Sequence, residues 1–186
     1  MRDPRRVAVL ISGRGSNMQA LVEQASGYEV VLVGSNKPLA AGLDWARSKG
    51  LPTWAWDSIG VDKETFDRTL SQALEDHRVG TIALAGFMRI LSPGFIAEWR
   101  GRVLNIHPSL LPKYRGLDTH SRALEAGDPV HGCSVHLVTE ELDAGDVLGS
   151  TQVPVLADDD VESLEQRVLA AEHKLYPRVL SEFVSR

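Results

Sequence analysis

The chain has 186 residues, 43% apolar and 24% charged, with a formal net charge of −5 and a pI near 5.7. That length suits one compact domain burying roughly 70% of the surface its unfolded chain exposes, and the composition is that of a folded rather than a disordered chain. The acidic balance disfavours nucleic acid or anionic lipid as partner and favours a small molecule.

The start, Met1 to Arg6, is basic like the head of a secretion signal, but the apolar run Val7 to Ile11 is too short to complete one. No stretch approaches the length of a membrane span. The single cysteine, Cys133, excludes an internal disulfide and reads as a small buried strand residue. It fits a reducing compartment, so a cytoplasmic location is expected.

Short β-branched runs alternate with helical patterns along the chain, the mark of βαβ units and a mostly parallel sheet. Strands are expected at Arg6 to Ser12, Glu29 to Gly34, Thr53 to Trp56 and Thr81 to Ala85. Between them lie helices at Met18 to Gln24, Leu39 to Lys49 and Asp62 to His77, the last with Phe66, Leu70 and Leu74 on one face. Ser92 and Pro93 read as N-cap and first turn of a helix ending near Trp99. A strand from Arg102 to His107 follows, then strands His131 to Thr139 and Asp146 to Val155 as an antiparallel edge. A long helix from Asp160 to Ser185 closes the chain, with Pro177 a candidate kink. No repeat, low-complexity tract or linker interrupts this order. The expected fold is three-layer α/β and Rossmann-like, its mostly parallel sheet carrying an antiparallel edge and helices on both faces.

Gly13-Arg14-Gly15, between the first strand and a helix, stands where backbone N–H groups and a helix N-terminus favour an anion. A dinucleotide fingerprint needs a third glycine where this chain has Met18, and an acid after the second strand, where it has Ser35-Asn36-Lys37-Pro38. An NAD site is therefore not expected. A single phosphate fits better, with N–H groups from Gly15 and Ser16, the Ser16 hydroxyl and the Asn17 amide. The other reading is a tight turn capped by Ser16.

Asn105 and His107 lie two apart at the end of a strand, so they share a face, and Pro108 stops the strand there. Imidazole is an acid or base near neutral pH, and an amide N–H can steady an oxygen gaining charge. The pair suits acyl-type transfer through a tetrahedral intermediate. It also reads as a histidine satisfying a loop carbonyl beside a structural asparagine. A carboxylate from the turn Glu140 to Asp146 would favour the first reading, and spacing does not say which acid reaches His107. His120, His131 and His136 lack metal-ligand spacing and read as surface or sheet residues. Ser109 sits beside His107 but in nothing like a nucleophile elbow.

Taken together, Gly15-Ser16-Asn17, the segment Ala85 to Pro93, Asn105 to Tyr114, His131 to His136 and Glu141 to Gly145 resemble the folate-dependent formyltransferase family, specifically its phosphoribosylglycinamide (GAR) formyltransferases, over nearly the whole length. The resemblance implies a single formyltransferase domain over 1–186, nucleotide and phosphate binding in its N-terminal half, folate and catalytic residues in its C-terminal half. It implies formyl transfer from 10-formyltetrahydrofolate, as co-substrate and without a metal, to the GAR amine in purine biosynthesis. Asn105, His107 and Asp143 match the family's catalytic positions. Gly15, Ser16, Asn17 and Glu172 match the GAR side, and Lys63, Met88, Arg89, Ile90, Leu91 and Asn105 the folate side. Without the resemblance Glu172 reads as an exposed helix residue.

Lys63 stands where the family pattern has arginine, and Arg115 and Asp118 replace an expected proline and histidine, which bears on loop shape and affinity. The related methionyl-tRNA formyltransferases and formyltetrahydrofolate deformylases carry further domains for which 186 residues are expected to leave no room. Neither nucleic acid nor membrane is expected as partner; monomer and homodimer both stay open.

Overall fold

The computed structural model describes residues 2–186, with Met1 of the basic head lying outside the described residues. Seven strands form one sheet: β1 (Arg6–Ile11), β2 (Glu29–Ser35), β3 (Thr53–Ala55), β4 (Thr81–Leu84), β5 (Val103–His107), β6 (Val130–Leu137) and β7 (Val147–Pro154). Their order is β3-β2-β1-β4-β5-β6-β7. Pairing is parallel from β3 to β5 and antiparallel from β5 through β6 to β7. The expected mostly parallel sheet with an antiparallel edge is the one observed.

Alternation in the strands builds two cores. In β1, Val7, Val9 and Ile11 enter one and Ala8 and Leu10 the other. Helices α1 (Ser16–Glu23), α2 (Ala41–Ser48) and α6 (Val161–Val184) cover the first; α3 (Lys63–Asp76) and α4 (Pro93–Glu98) cover the second. Phe66, Leu70 and Leu74 of α3 are all fully buried, as their four-residue spacing requires. Asp62 caps α3 by accepting from the Thr65 N–H, and Ser92 caps α4 through the Phe95 N–H.

Helix α6 runs unbroken through Pro177. Proline lacks the N–H that would reach the His173 carbonyl four residues back. The Gln24 side-chain amide donates to that carbonyl instead, at 3.0 Å. Nearby, the buried Tyr176 hydroxyl lies 3.1 Å from the carbonyls of both Leu84 and Leu104, tying α6 to β4 and β5.

One reading needs correction. Ser16 does not cap α1: it is the first helical residue, while Gly15, at φ 72°, holds the N-cap position with no side-chain bond. The segment after β5, for which no element was expected, contains α5 (Thr119–Glu125). Among the described residues no helix is long and apolar enough to cross a membrane.

Candidate active site

The strand order reverses between β1 and β4, so the loops leaving those strands part and open a crevice at their carboxyl ends. A cleft of about 560 Å³ lies there, lined by Asn17, Gly86 to Met88, Asn105 to Pro108, Gly116 to Ser121 and the α6 residues Val161, Glu165, Val168, Leu169 and Glu172.

Leu104 and Ile106 of β5 turn into the core, which leaves Asn105 and His107 together on the opposite face. His107 is buried. Its Nδ1 lies 3.4 Å from Asp143 Oδ2, and its Nε2 donates to the Tyr114 carbonyl at 2.9 Å. Both readings of the ring made from sequence thus describe one arrangement, a loop carbonyl on one nitrogen and a carboxylate on the other. Each ring nitrogen therefore faces an acceptor.

Asp143 is the acid of its turn that reaches the histidine. Glu140, Glu141 and Asp146 are exposed, and Glu141 pairs with Arg115 at 2.9 Å. Asp143 adopts φ 51° and accepts from the Gly116 N–H at 2.9 Å. Behind the turn Gly145 packs against the Leu137 carbonyl so closely that a Cβ would collide with it. Asp143 is absent from the cleft lining and reaches the cleft through His107.

On the α1 side Asn17 lines the cleft, and its amide N–H donates to Glu172 Oε2 at 2.7 Å, with both side chains buried. Glu172 is therefore not the exposed helix residue its sequence context suggests. Burial pushes its carboxyl up to about 7, opposed by the Asn17 hydrogen bond and reinforced by the charge of Glu165. The N–H groups of the first turn of α1 have no partners within that helix.

The residues matched to a folate site separate. Met88 lines the cleft and Ile90 is exposed beyond it, at 68% and 66%. Leu91 is buried in the core under α3 and α4. Arg89 donates to the carbonyls of Ser58 and Val61 at 3.3 and 3.0 Å and lies 4.5 Å over the Phe66 ring, which makes it a clamp on that loop. Lys63 starts α3, exposed and outside the cleft lining.

Sequence reasoning missed the second wall of the cleft. Asp118, at φ 56°, and His120 come from the start of α5, and Glu165 from α6. The His120 and His131 rings meet at 3.2 Å, and burial pushes His131 down to about 4. Ser109 is buried with its hydroxyl donating to the Lys113 carbonyl, which disposes of it as a nucleophile. Burial likewise pushes the Cys133 thiol up to about 12. Among the described residues no three His, Cys, Asp or Glu side chains are grouped to hold a metal ion.

Residues 5–180 match the formyl transferase family. Phosphoribosylglycinamide formyltransferase of Escherichia coli (strain K12) is 47% identical over 182 residues, 95% of this chain and 86% of that one. The trifunctional purine biosynthetic protein adenosine-3 of Drosophila melanogaster is 48% identical across 97% of this chain. The chain spans 14% of that protein's length and 18% of the same-named protein from Bos taurus. The crystal structure of phosphoribosylglycinamide formyltransferase from Brucella melitensis superposes with a TM-score of 0.92 at 47% identity, over 98% of this chain and 96% of that one.

Proposed function

The chain belongs to the formyl transferase family, and from that premise we propose that it transfers the formyl group of 10-formyltetrahydrofolate to the amine of 5'-phosphoribosylglycinamide. The products are formyl-GAR and tetrahydrofolate, a step of purine biosynthesis. The observation that carries this reading is the contact of His107 Nδ1 with Asp143 Oδ2 at 3.4 Å, beside Asn105 on the floor of the cleft.

The neutral amine attacks the formyl carbon, forming a C–N bond and leaving the carbonyl electrons on oxygen. An N–H of Asn105 and the Nε2–H of His107 steady that oxyanion. In the structure the Nε2–H is held by the Tyr114 carbonyl, so the formyl oxygen has to displace it. The intermediate collapses by breaking the bond to the folate nitrogen. The proton lost by the amine passes through water to that leaving nitrogen, with Asp143 assisting the transfer and serving as counter-charge of the His107 ring. Attack is direct, with no covalent enzyme intermediate.

The first turn of α1, from Gly15 to Asn17, faces the ribonucleotide phosphate, with Glu172 beside it. Met88 and Ile90 flank the folate, while Arg89, Leu91 and Lys63 support or border that side. Residues 1–186 act as one formyltransferase unit, phosphate side in the first half. We place the reaction between two small molecules in the cytoplasm, with no nucleic-acid partner for a chain of net charge −5 and with the protein a monomer or homodimer.

The test is a steady-state assay with GAR and 10-formyltetrahydrofolate, each omitted in turn. Turnover requiring both supports transfer. Folate turnover without the ribonucleotide means hydrolysis and overturns it.

A further inference from the structure

Opposite Asn105 in the antiparallel pairing of β5 with β6 stands His136, 2% exposed. Directly paired residues of this kind put their side chains on one face and in contact. His136 Nε2 lies 3.3 Å from Asn105 Nδ2 and 3.6 Å from Asp143 Oδ1, while its Nδ1 lies 2.9 Å from the Leu137 carbonyl. The ring touches two of the three residues to which the reaction is assigned, yet it is absent from the cleft lining. The pairing of β6 with β7 slips by a residue between Val135 and His136, a bulge of the sort that re-aims a side chain beside a site.

We propose that His136 is a positioning residue whose Nε2 lone pair holds the Asn105 amide with its nitrogen toward β6 and one N–H left for the formyl oxygen. The inference rests on the formyl-transfer reading for its consequence, but its geometry stands apart from it.

The tautomer follows from the partners. A carbonyl only accepts, so the nitrogen facing Leu137 carries a proton, and a neutral ring then has its lone pair on Nε2. A lone pair there accepts from an amide nitrogen and repels an amide oxygen, which selects one of the two orientations of Asn105. That nitrogen has two hydrogens: one goes to His136, and the second is free.

A doubly protonated His136 would turn an N–H toward Asp143 and deprive Asn105 of its acceptor. The groups bearing on that balance are Asp143, which favours the charge, and His107 across the site, which opposes it when protonated. Burial weighs most, and it holds the ring neutral.

Long-range proton–nitrogen correlation spectra of the substrate-free protein, assigned with His136→Gln, read the ring directly. A protonated Nδ1 with a bare Nε2 is expected; a protonated Nε2 overturns the proposal whether or not the protein transfers formyl groups.

Kinetics supply the second arm. His136→Leu lowers kcat about 10- to 100-fold with both KM values nearly unchanged, less than the roughly 10²- to 10³-fold that follows loss of an oxyanion donor itself. His136→Gln, which returns an acceptor to that position, recovers most of the loss. In an Asn105→Ala background His136→Leu has little further effect. Equal losses in both backgrounds would mean that His136 acts on something other than Asn105.

Discussion

Asn17 and Glu172 are 155 residues apart in sequence and joined by a 2.7 Å hydrogen bond that closes the cleft between α1 and α6. The acid is buried and its carboxyl is raised from an ordinary 4.5 to about 7, so the folded protein holds a proton there that the unfolded chain has released. The associated stability is fully present below pH 4.5 and is lost as pH rises to about 7. Glu172→Gln keeps an oxygen for Asn17 and removes the titration. Urea denaturation should show a variant as stable as the parent near pH 4.5 and more stable at pH 8, by up to something on the order of 3 kcal/mol. A constant difference between the two across that range would show that Glu172 does not titrate in this window.

Asp143 accepts from the Gly116 N–H with the same oxygen that faces His107. Asp143→Asn places a neutral amide beside the ring and removes the counter-charge for a doubly protonated imidazole. Turnover should fall by roughly 10²- to 10⁴-fold, the range of a general acid–base contribution. His107→Ala should fall at least as far, and the double variant little further, since the two residues act as a unit. Additive losses in that cycle would separate them.

Gly145 is tested by geometry alone. A Cβ there would strike the Leu137 carbonyl, which belongs to the backbone and cannot swing away. Gly145→Ala must displace the turn that carries Asp143, at a cost of about 1–3 kcal/mol. Thermal unfolding should report the loss in stability. Turnover measured well below the variant's Tm should fall too, because the carboxylate moves off His107; full activity there would show that the turn relaxes without Asp143.

How far these features could be read beforehand follows from the range of the interactions behind them. The strands and α3 were legible because burial imposes a short period, as in Phe66, Leu70 and Leu74. Asn105 and His107 were legible because a strand of alternating faces ends at Pro108. Helix α5 was not: it has seven residues and begins at Asp118 in a left-handed conformation without a side-chain cap, so it carries neither length nor a start signal. Glu172 sits in α6 among residues of every polarity, and only the distant Asn17 shows that it is buried. The choice of Asp143 over its acidic neighbours depends on a left-handed turn that no spacing rule contains. His136 could have been found by extending the hairpin register from Asn105, had the strand partners been known.

Arg89 separates a contact with substrate from support of the wall around it. Its guanidinium grips the Ser58 and Val61 carbonyls from one planar fork and stacks on Phe66, and its Nε is buried without a partner. Lysine keeps the charge and loses the fork. Arg89→Lys should therefore free the loop from Ser58 to Val61, lowering stability by about 1–2 kcal/mol through lost charge-assisted bonds. If the loop borders the folate, KM for 10-formyltetrahydrofolate should rise several-fold while that for GAR and kcat hold. Hydrogen exchange at Ser58 to Val61 gives the local readout: protection unchanged in the variant would show that the loop is held by other contacts.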